Sequence, residues 1–415
     1  MIPSKSTPAP TEVEFADSAA RDAFGRLRVS NPATLFDSSF QYDLRQVYWQ
    51  KATAGSATVA EVSNQSSARL TVTASASDSA VMQTRDYFRY QPGKSLAITM
   101  TGVFGSATAG VVKRMGYFDA ENGLYLEQNG TTDVAFVRRT YTSGTAVNNR
   151  YVQTAWNLDK FDGTGPSGLT LDLSKGQIFF TDLQWLSLGR VRYGFEVEGV
   201  LYYCHEYNAA NELDVAYMTS ANLPVRYEIT SDGTSGDSMD AICQSVQSEG
   251  GFSVGSYFPC SADTLSSGAV SVTTTLVPIL SIRPKATFNS VTNRGLIFPQ
   301  SVNFLNTDNT KYVAVRLIYG GTISGGAGAW TSASADSVVE YNTDHTTISG
   351  GIQTEAMFAE ASISTRVGQD HRLPLALDIS GGHPTSPYTD ILTVAAVASS
   401  GNANCYAAIN WGEIR

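Results

Sequence analysis

Apolar and polar positions alternate along most of this chain. Leu96, Ile98 and Met100 alternate with Ala97, Thr99 and Thr101, the period-two signature of a strand with one buried face. Residues 190–198 repeat the pattern. Val191, Tyr193, Phe195 and Val197 face one way, and Arg190, Arg192, Glu196 and Glu198 face the other. Gly199 offers a tight turn and residues 200–207 return as a second apolar-aromatic run, so a hairpin is predicted here. Residues 178–180 and 183–188 form a denser run, as expected of strands covered on both faces. Strand patterns resume at 270–282 and at 312–319, where Val313, Val315, Leu317 and Tyr319 share a face.

The breaks in this pattern suggest the organisation. A turn cluster at 231–237 and the pair Gly250-Gly251 mark a domain boundary, and the Gly/Ala/Ser-rich stretch 320–337 reads as a loop. Only 208–220 and 352–366 look helical. No repeat of 20–50 residues is present, which argues against propellers and solenoids. The expected fold is all-β: an extended N-terminal arm (1–36) followed by two tandem antiparallel, jelly-roll-like β-sandwich domains (37–250 and 251–415). In the arm, Pro3, Pro8 and Pro10 favour extension, and Asp17 can cap a short helical turn closed by Gly25. An extended arm cannot bury its own Phe15, Phe24, Leu27, Val29, Leu35 and Phe36. Together with Arg26 and Arg28 these form a candidate docking surface, against the rest of the chain or another subunit.

Composition narrows the function classes. The 415 residues carry a net charge of −10 with only 16% charged residues, against about 25% in an ordinary soluble domain. Polarity comes instead from 45 Ser, 41 Thr and 36 Gly, with only 8 Lys. There is no basic stripe to neutralise phosphates, so no nucleic-acid partner is expected. The longest apolar run, 391–398, is far shorter than the ~20 residues of a membrane span, so no membrane partner is expected either. The opening MIPSK shows no apolar leader, so Cys204, Cys243, Cys260 and Cys405 are expected to be reduced thiols. A Cys204–Cys243 bridge is the sharper alternative.

Motifs for chemistry are weak. GTGPSG at 163–168 matches a dinucleotide fingerprint, but Pro166 sits inside it and a strand, not a helix, follows. GFSVG at 251–255 matches a nucleophile elbow, yet residues 256–259 cannot start the required helix. Asp159 and Asp162 lack the alternating ligands of a calcium loop, and the four His residues show no metal-binding spacing, so neither metal nor cofactor is expected. Glu196 and Glu198 are the most interesting carboxylates. On one strand face they would lie about 6–7 Å apart, in the range of paired-carboxylate glycosidases, with Glu206 on the neighbouring strand. The simpler reading is a solvated face balanced by Arg190 and Arg192. Trp156 and Trp185 are candidate sugar-gripping rings, without supporting spacing.

Three stretches resemble a poorly characterised family of tailed-bacteriophage virion structural proteins. They are DAFGRLRVSNPATLF at 22–36; LDKFDGTGPSGL at 158–169 with QIFFTDLQWL at 177–186 and GRVRYGF at 189–195; and CHEYN at 204–208 with LPVRYEI at 223–229. The resemblance covers residues 22–250 and implies a virion component, assembled in the host cytoplasm, with no established catalytic residues. The central region also resembles a concanavalin A-like jelly roll, a fold that hosts lectins and glycosidases. The resulting expectation is a non-enzymatic virion structural protein, a capsid-decorating or vertex-projecting spike held to other virion proteins by its arm. It would be homo-oligomeric, with a trimer as one option. A receptor-binding tail fibre or tailspike component recognising host-surface glycan is the first alternative. A glycan depolymerase using Glu196 and Glu198 is the second.

Overall fold

A computed structural model describes residues 20–28, 32–131, 133–251, 257–362, 364–368, 374–377 and 390–415. The protein is all-β, as the alternation predicts. Among the described residues the helical elements are single 3-10 turns, Ser63–Gln65 and Gln153–Ala155.

The first sandwich packs an eight-stranded antiparallel sheet on a seven-stranded one. The larger sheet runs Val200–Asn208, Arg190–Val197, Gln177–Leu183, Ser95–Val103, Asp237–Glu249, Ser67–Val72 and Thr58–Val62, with Ala33–Ser39 also paired to Asp237–Glu249. The smaller runs Val147–Val152, Asp133–Thr140, Gly123–Asn129, Val111–Phe118, Val225–Ser231, Ser79–Thr84 and Trp49–Ala54. Between them lies an aromatic core in which the Phe136 ring stacks on Trp156 (4.2 Å) and Tyr193 (4.9 Å). Such pairs contribute about 0.5–1.5 kcal/mol each beyond their burial.

The predicted hairpin is present. Arg190–Val197 pairs with Val200–Asn208, and Glu198 and Gly199 form the two-residue turn with φ of 53° and 77°. Two positive φ values match the right-handed strand twist, as in a type I′ turn.

The second sandwich packs a five-stranded sheet, which includes Leu296–Asn306 and the long Ala403–Ile414, on a six-stranded sheet centred on Val277–Pro284, Leu392–Ala398 and Val313–Tyr319. Trp411, Phe304 and Ile282 are buried in its own core. The two sandwiches meet through ion pairs. Arg294 of the second reaches Asp119 (2.8 Å) and Glu121 (2.6 Å) of the first, and Arg85 lies 3.8 Å from Asp390.

Several expectations need correction. Residues 352–366 are not helical: Ile352–Ala359 pairs along Val313–Tyr319 and Ser364–Gly368 pairs with Leu296–Asn306. Residues 209–220 are an irregular connection of turns and bends. In 352–366 pairing with distant strands overrides local propensity. The cluster at 231–237 is not a boundary but the turn joining Val225–Ser231 to Asp237–Glu249. The arm, too, ends earlier than residue 36. Leu35 and Phe36 belong to Ala33–Ser39, whose partner strand lies more than 200 residues away in sequence, and the Phe36 ring packs 5.3 Å from Phe88.

Candidate functional site

The candidate site follows from strand phase in the larger sheet. In Gln177–Leu183, Phe179, Thr181 and Leu183 point into the core, so Phe180 and Asp182 project from the outer face. Register places Asp182 opposite Ala97 on one side and Arg192 on the other. Arg192 donates from Nε (3.0 Å) and Nη2 (2.5 Å) to the two Asp182 oxygens. The Tyr203 hydroxyl (2.8 Å) and Arg28 Nη2 (2.6 Å) donate to Asp182 Oδ2 as well. Arg28 also pairs with Glu249 at 2.5 Å. Two guanidinium and two carboxylate charges therefore cancel in a nearly dry setting, where Asp182 and Arg192 side chains are 0% and 1% exposed. Burial, then the neighbouring Asp182 charge, raises the Tyr203 hydroxyl well above its ordinary range, so it remains a proton donor.

The N-terminal segment completes this face. Asp22 Oδ1 accepts the N–H groups of Phe24 and Arg26 (2.9 Å each), and Gly25 at φ 76° closes the loop. The sheet then grips this loop. Arg192 Nη2 donates to the Arg21 carbonyl (2.8 Å), and Arg190 donates to those of Ala23 (3.2 Å) and Asp22 (3.3 Å). Between loop and sheet lies a cavity of about 380 Å³ lined by Asp22, Arg26, Arg28, Phe180, Gln247 and Glu249.

The structure thus gathers onto one face two groups that the sequence kept apart. Arg26, Leu27 and Arg28 line the cavity, the Arg26 guanidinium lies over the Phe24 ring at 4.7 Å, and Arg28 is held by the chain's own sheet. Phe15 and Val29 lie outside the described residues. Glu206, opposite Arg192, pairs with Arg190 at 3.5 Å. Glu196 and Glu198 do not share a strand face as the alternation implied. The strand ends at Val197, and Glu198 occupies the left-handed turn position, exposed, while Glu196 stays half-buried opposite Ile178. Nor do the Trp candidates face sugar: Trp156 is stacked in the core and Trp185 packs on Tyr90 at 6.0 Å.

Sequence reasoning missed Asp182, Tyr203, Gln247 and Glu249. The available signal was a carboxylate inside the dense apolar run 177–188, which is costly unless paired.

Other motifs resolve into turn chemistry. Asp159 accepts the N–H groups of Phe161 (3.0 Å) and Ser167 (2.7 Å), which organises the 159–168 loop. Among the described residues no group of three or more His, Cys, Asp and Glu side chains is placed to hold a metal ion. All four cysteines are free thiols, without the Cys204–Cys243 bridge. Most of 251–255 lies outside the described residues.

The outer face of the seven-stranded sheet carries a second polar array. Arg114 bridges Glu127 (2.7 Å) and Glu228, and Arg150 pairs with Glu127 at 2.7 Å. Burial opposes the Glu228 charge, but Arg226, Arg114 and Arg139 outweigh it and bring its pKa down to about 2. Arg114 occupies the space between the two carboxylates, so Glu228 is an ionised anchor rather than a proton donor there.

With the geometry in view, the fold has recognisable company. It is a jelly-roll-like antiparallel β-sandwich. Similar solved structures include a glycosyl hydrolase family 16 protein from Mycobacterium smegmatis, 14% identical with a TM-score of 0.36, covering 52% of this chain and 100% of that one. A glycosyl hydrolase family protein from Mycobacterium fortuitum has the same values. The Bacillus licheniformis β-glucanase is 13% identical with a TM-score of 0.33, covering 52% and 99%. No family model and no curated protein matches the chain. The likeness is one of fold. The expectation of a non-enzymatic protein is corrected: the similar solved structures are named as glycosyl hydrolases and a β-glucanase.

Proposed function

We propose that the chain is a glycan-recognising protein of a bacteriophage particle, with the cavity beneath the N-terminal loop as its sugar site. The observation that carries this reading is the composition of that cavity. The half-buried Phe180 ring offers a surface for the apolar face of a pyranose, and Arg26, Gln247 and Glu249 surround it with donors and acceptors for hydroxyl groups. Its volume of about 380 Å³ suits one or two sugar rings. The particle location rests on the three stretches within residues 22–250 that resemble virion proteins. The spike reading rests on a free docking arm, whereas Arg28 is engaged with the protein's own sheet and Arg26 with Asp22 and the Gly93 carbonyl, and this favours recognition.

The test is binding of purified full chain to polysaccharide extracted from the host surface, with release of reducing ends followed in the same samples. Glu249→Gln and Arg26→Ala should each weaken binding by about tenfold, the worth of one charge-assisted hydrogen bond. No binding of any host-surface glycan by the wild type would overturn the proposal.

A further inference from the structure

We infer that the junction of the two sandwiches holds a second carbohydrate site, independent of the cavity above, which takes a carboxylate-bearing pyranose. A cavity of about 620 Å³ lies between residues 39–48 of the first sandwich and Ile352 of the second, where Tyr42, Asp43, Arg45, Gln46 and Tyr48 line it. Two aromatic rings stand at this cavity: Tyr42 is 89% exposed, and Tyr48, 39% exposed, packs edge-on to Phe36 at 6.4 Å.

The chemistry around the two rings is that of a sugar site rather than a protein-docking patch. Tyrosine presents a flat apolar face to the C–H side of a pyranose and a hydroxyl to its edge. Arg45 lies over Tyr48, 5.3 Å from its centroid, and no carboxylate pairs with it among the described residues. Its charge is therefore available to a ligand carboxylate, while the nearest carboxylate, Asp43, is turned to the Arg45 backbone N–H. Asp43 and Gln46 supply acceptors and donors for hydroxyl groups.

The loop is also held in advance of binding. Arg45 adopts φ 47°, a left-handed conformation uncommon for a non-glycine residue. Several bonds keep it there: Asp43 Oδ1 accepts the Arg45 N–H (2.6 Å), and the Arg45 carbonyl accepts the N–H groups of Tyr48 (2.8 Å) and Trp49 (2.9 Å). Arg85, which faces Asp390 of the second sandwich, donates to the carbonyls of Gln46 (2.9 Å) and Tyr48 (2.8 Å). The second sandwich thus braces the loop and supplies the Ile352 wall. Strain maintained by its surroundings and a rigid aromatic platform both reduce the ordering cost of binding.

Calorimetry on the full chain with oligogalacturonate and sialyllactose as carboxylated probes, and cellohexaose as the neutral probe, tests this. The carboxylated probes should bind with an affinity that falls as salt rises, and cellohexaose should bind at least about tenfold more weakly. Tyr42→Ala and Arg45→Gln should each reduce affinity by about tenfold, while Tyr42→Trp retains it. Glu249→Gln, which acts only in the other cavity, should leave this binding unchanged. Equal affinity for neutral and carboxylated probes, no binding of either carboxylated probe, or insensitivity to Tyr42→Ala and Arg45→Gln would each overturn the inference. Tyr42 is so exposed that its replacement should not alter the unfolding temperature, which separates loss of binding from loss of fold.

Discussion

Asp182 and Arg192 face each other across two neighbouring strands, joined by two hydrogen bonds of 3.0 and 2.5 Å and almost completely out of water. The pair also anchors the N-terminal segment, because Arg28 donates to the same Asp182 oxygen and Arg192 reaches the Arg21 carbonyl.

Asp182→Asn should therefore do more than lower stability. Removing one partner from a buried charge cluster costs about 3 kcal/mol or more. Chemical unfolding should show that loss. Limited trypsin digestion should show faster cutting after Arg21 or Arg26, as the segment loses its anchor. An unchanged digestion pattern would refute the anchoring role.

His205 makes stability depend on mild acid. Its ring is 5% exposed and lies 4.5 Å from Tyr151, and burial brings its pKa down to about 4 from the usual 6.5. The folded state keeps the ring neutral while the unfolded chain takes up a proton below pH 6.5. Stability is thus full above pH 6.5 and falls by about 3 kcal/mol as the pH drops to 4. His205→Phe should abolish this dependence in urea unfolding followed across pH.

Glu228 acts in a lower window. Its pKa of about 2, against an ordinary 4.5, means the folded state holds the ionised form more tightly than the unfolded chain does. The stabilisation is complete above pH 4.5 and is lost as the pH falls through about 2, with a magnitude on the order of 3 kcal/mol. Glu228→Gln should flatten the acid limb below pH 4.5 and leave the His205 limb intact.

Arg294 ties the two sandwiches together through Asp119 and Glu121. Arg294→Ala leaves both carboxylates without that partner and should weaken the coupling by about 1–3 kcal/mol. Differential scanning calorimetry should then resolve two transitions where the wild type shows one, or widen the gap between two. Coincident, unchanged transitions would contradict the role given to this contact.

Alternation in 190–197 and its return over 200–208 were legible because strand phase is a local property, and Gly199 marked the turn between them. The all-β class and the two-sandwich order followed from the same local signals. Pairing partners were not legible. Ala33–Ser39 reads as the end of an arm until it is seen against Asp237–Glu249, and 352–366 reads as helix until Val313–Tyr319 is placed beside it. The site was hidden for the same reason. Glu196 and Glu198 look paired in sequence, but the strand ends at Val197 and Glu198 lies in the turn. Asp182, Arg192, Tyr203, Arg28 and Glu249 span more than 200 residues and have nothing in common until sheet register stacks them. Side-chain periodicity belongs to a single strand. Which strands become neighbours is settled by burying a shared core, and that global minimum brings charges together that no local pattern could connect.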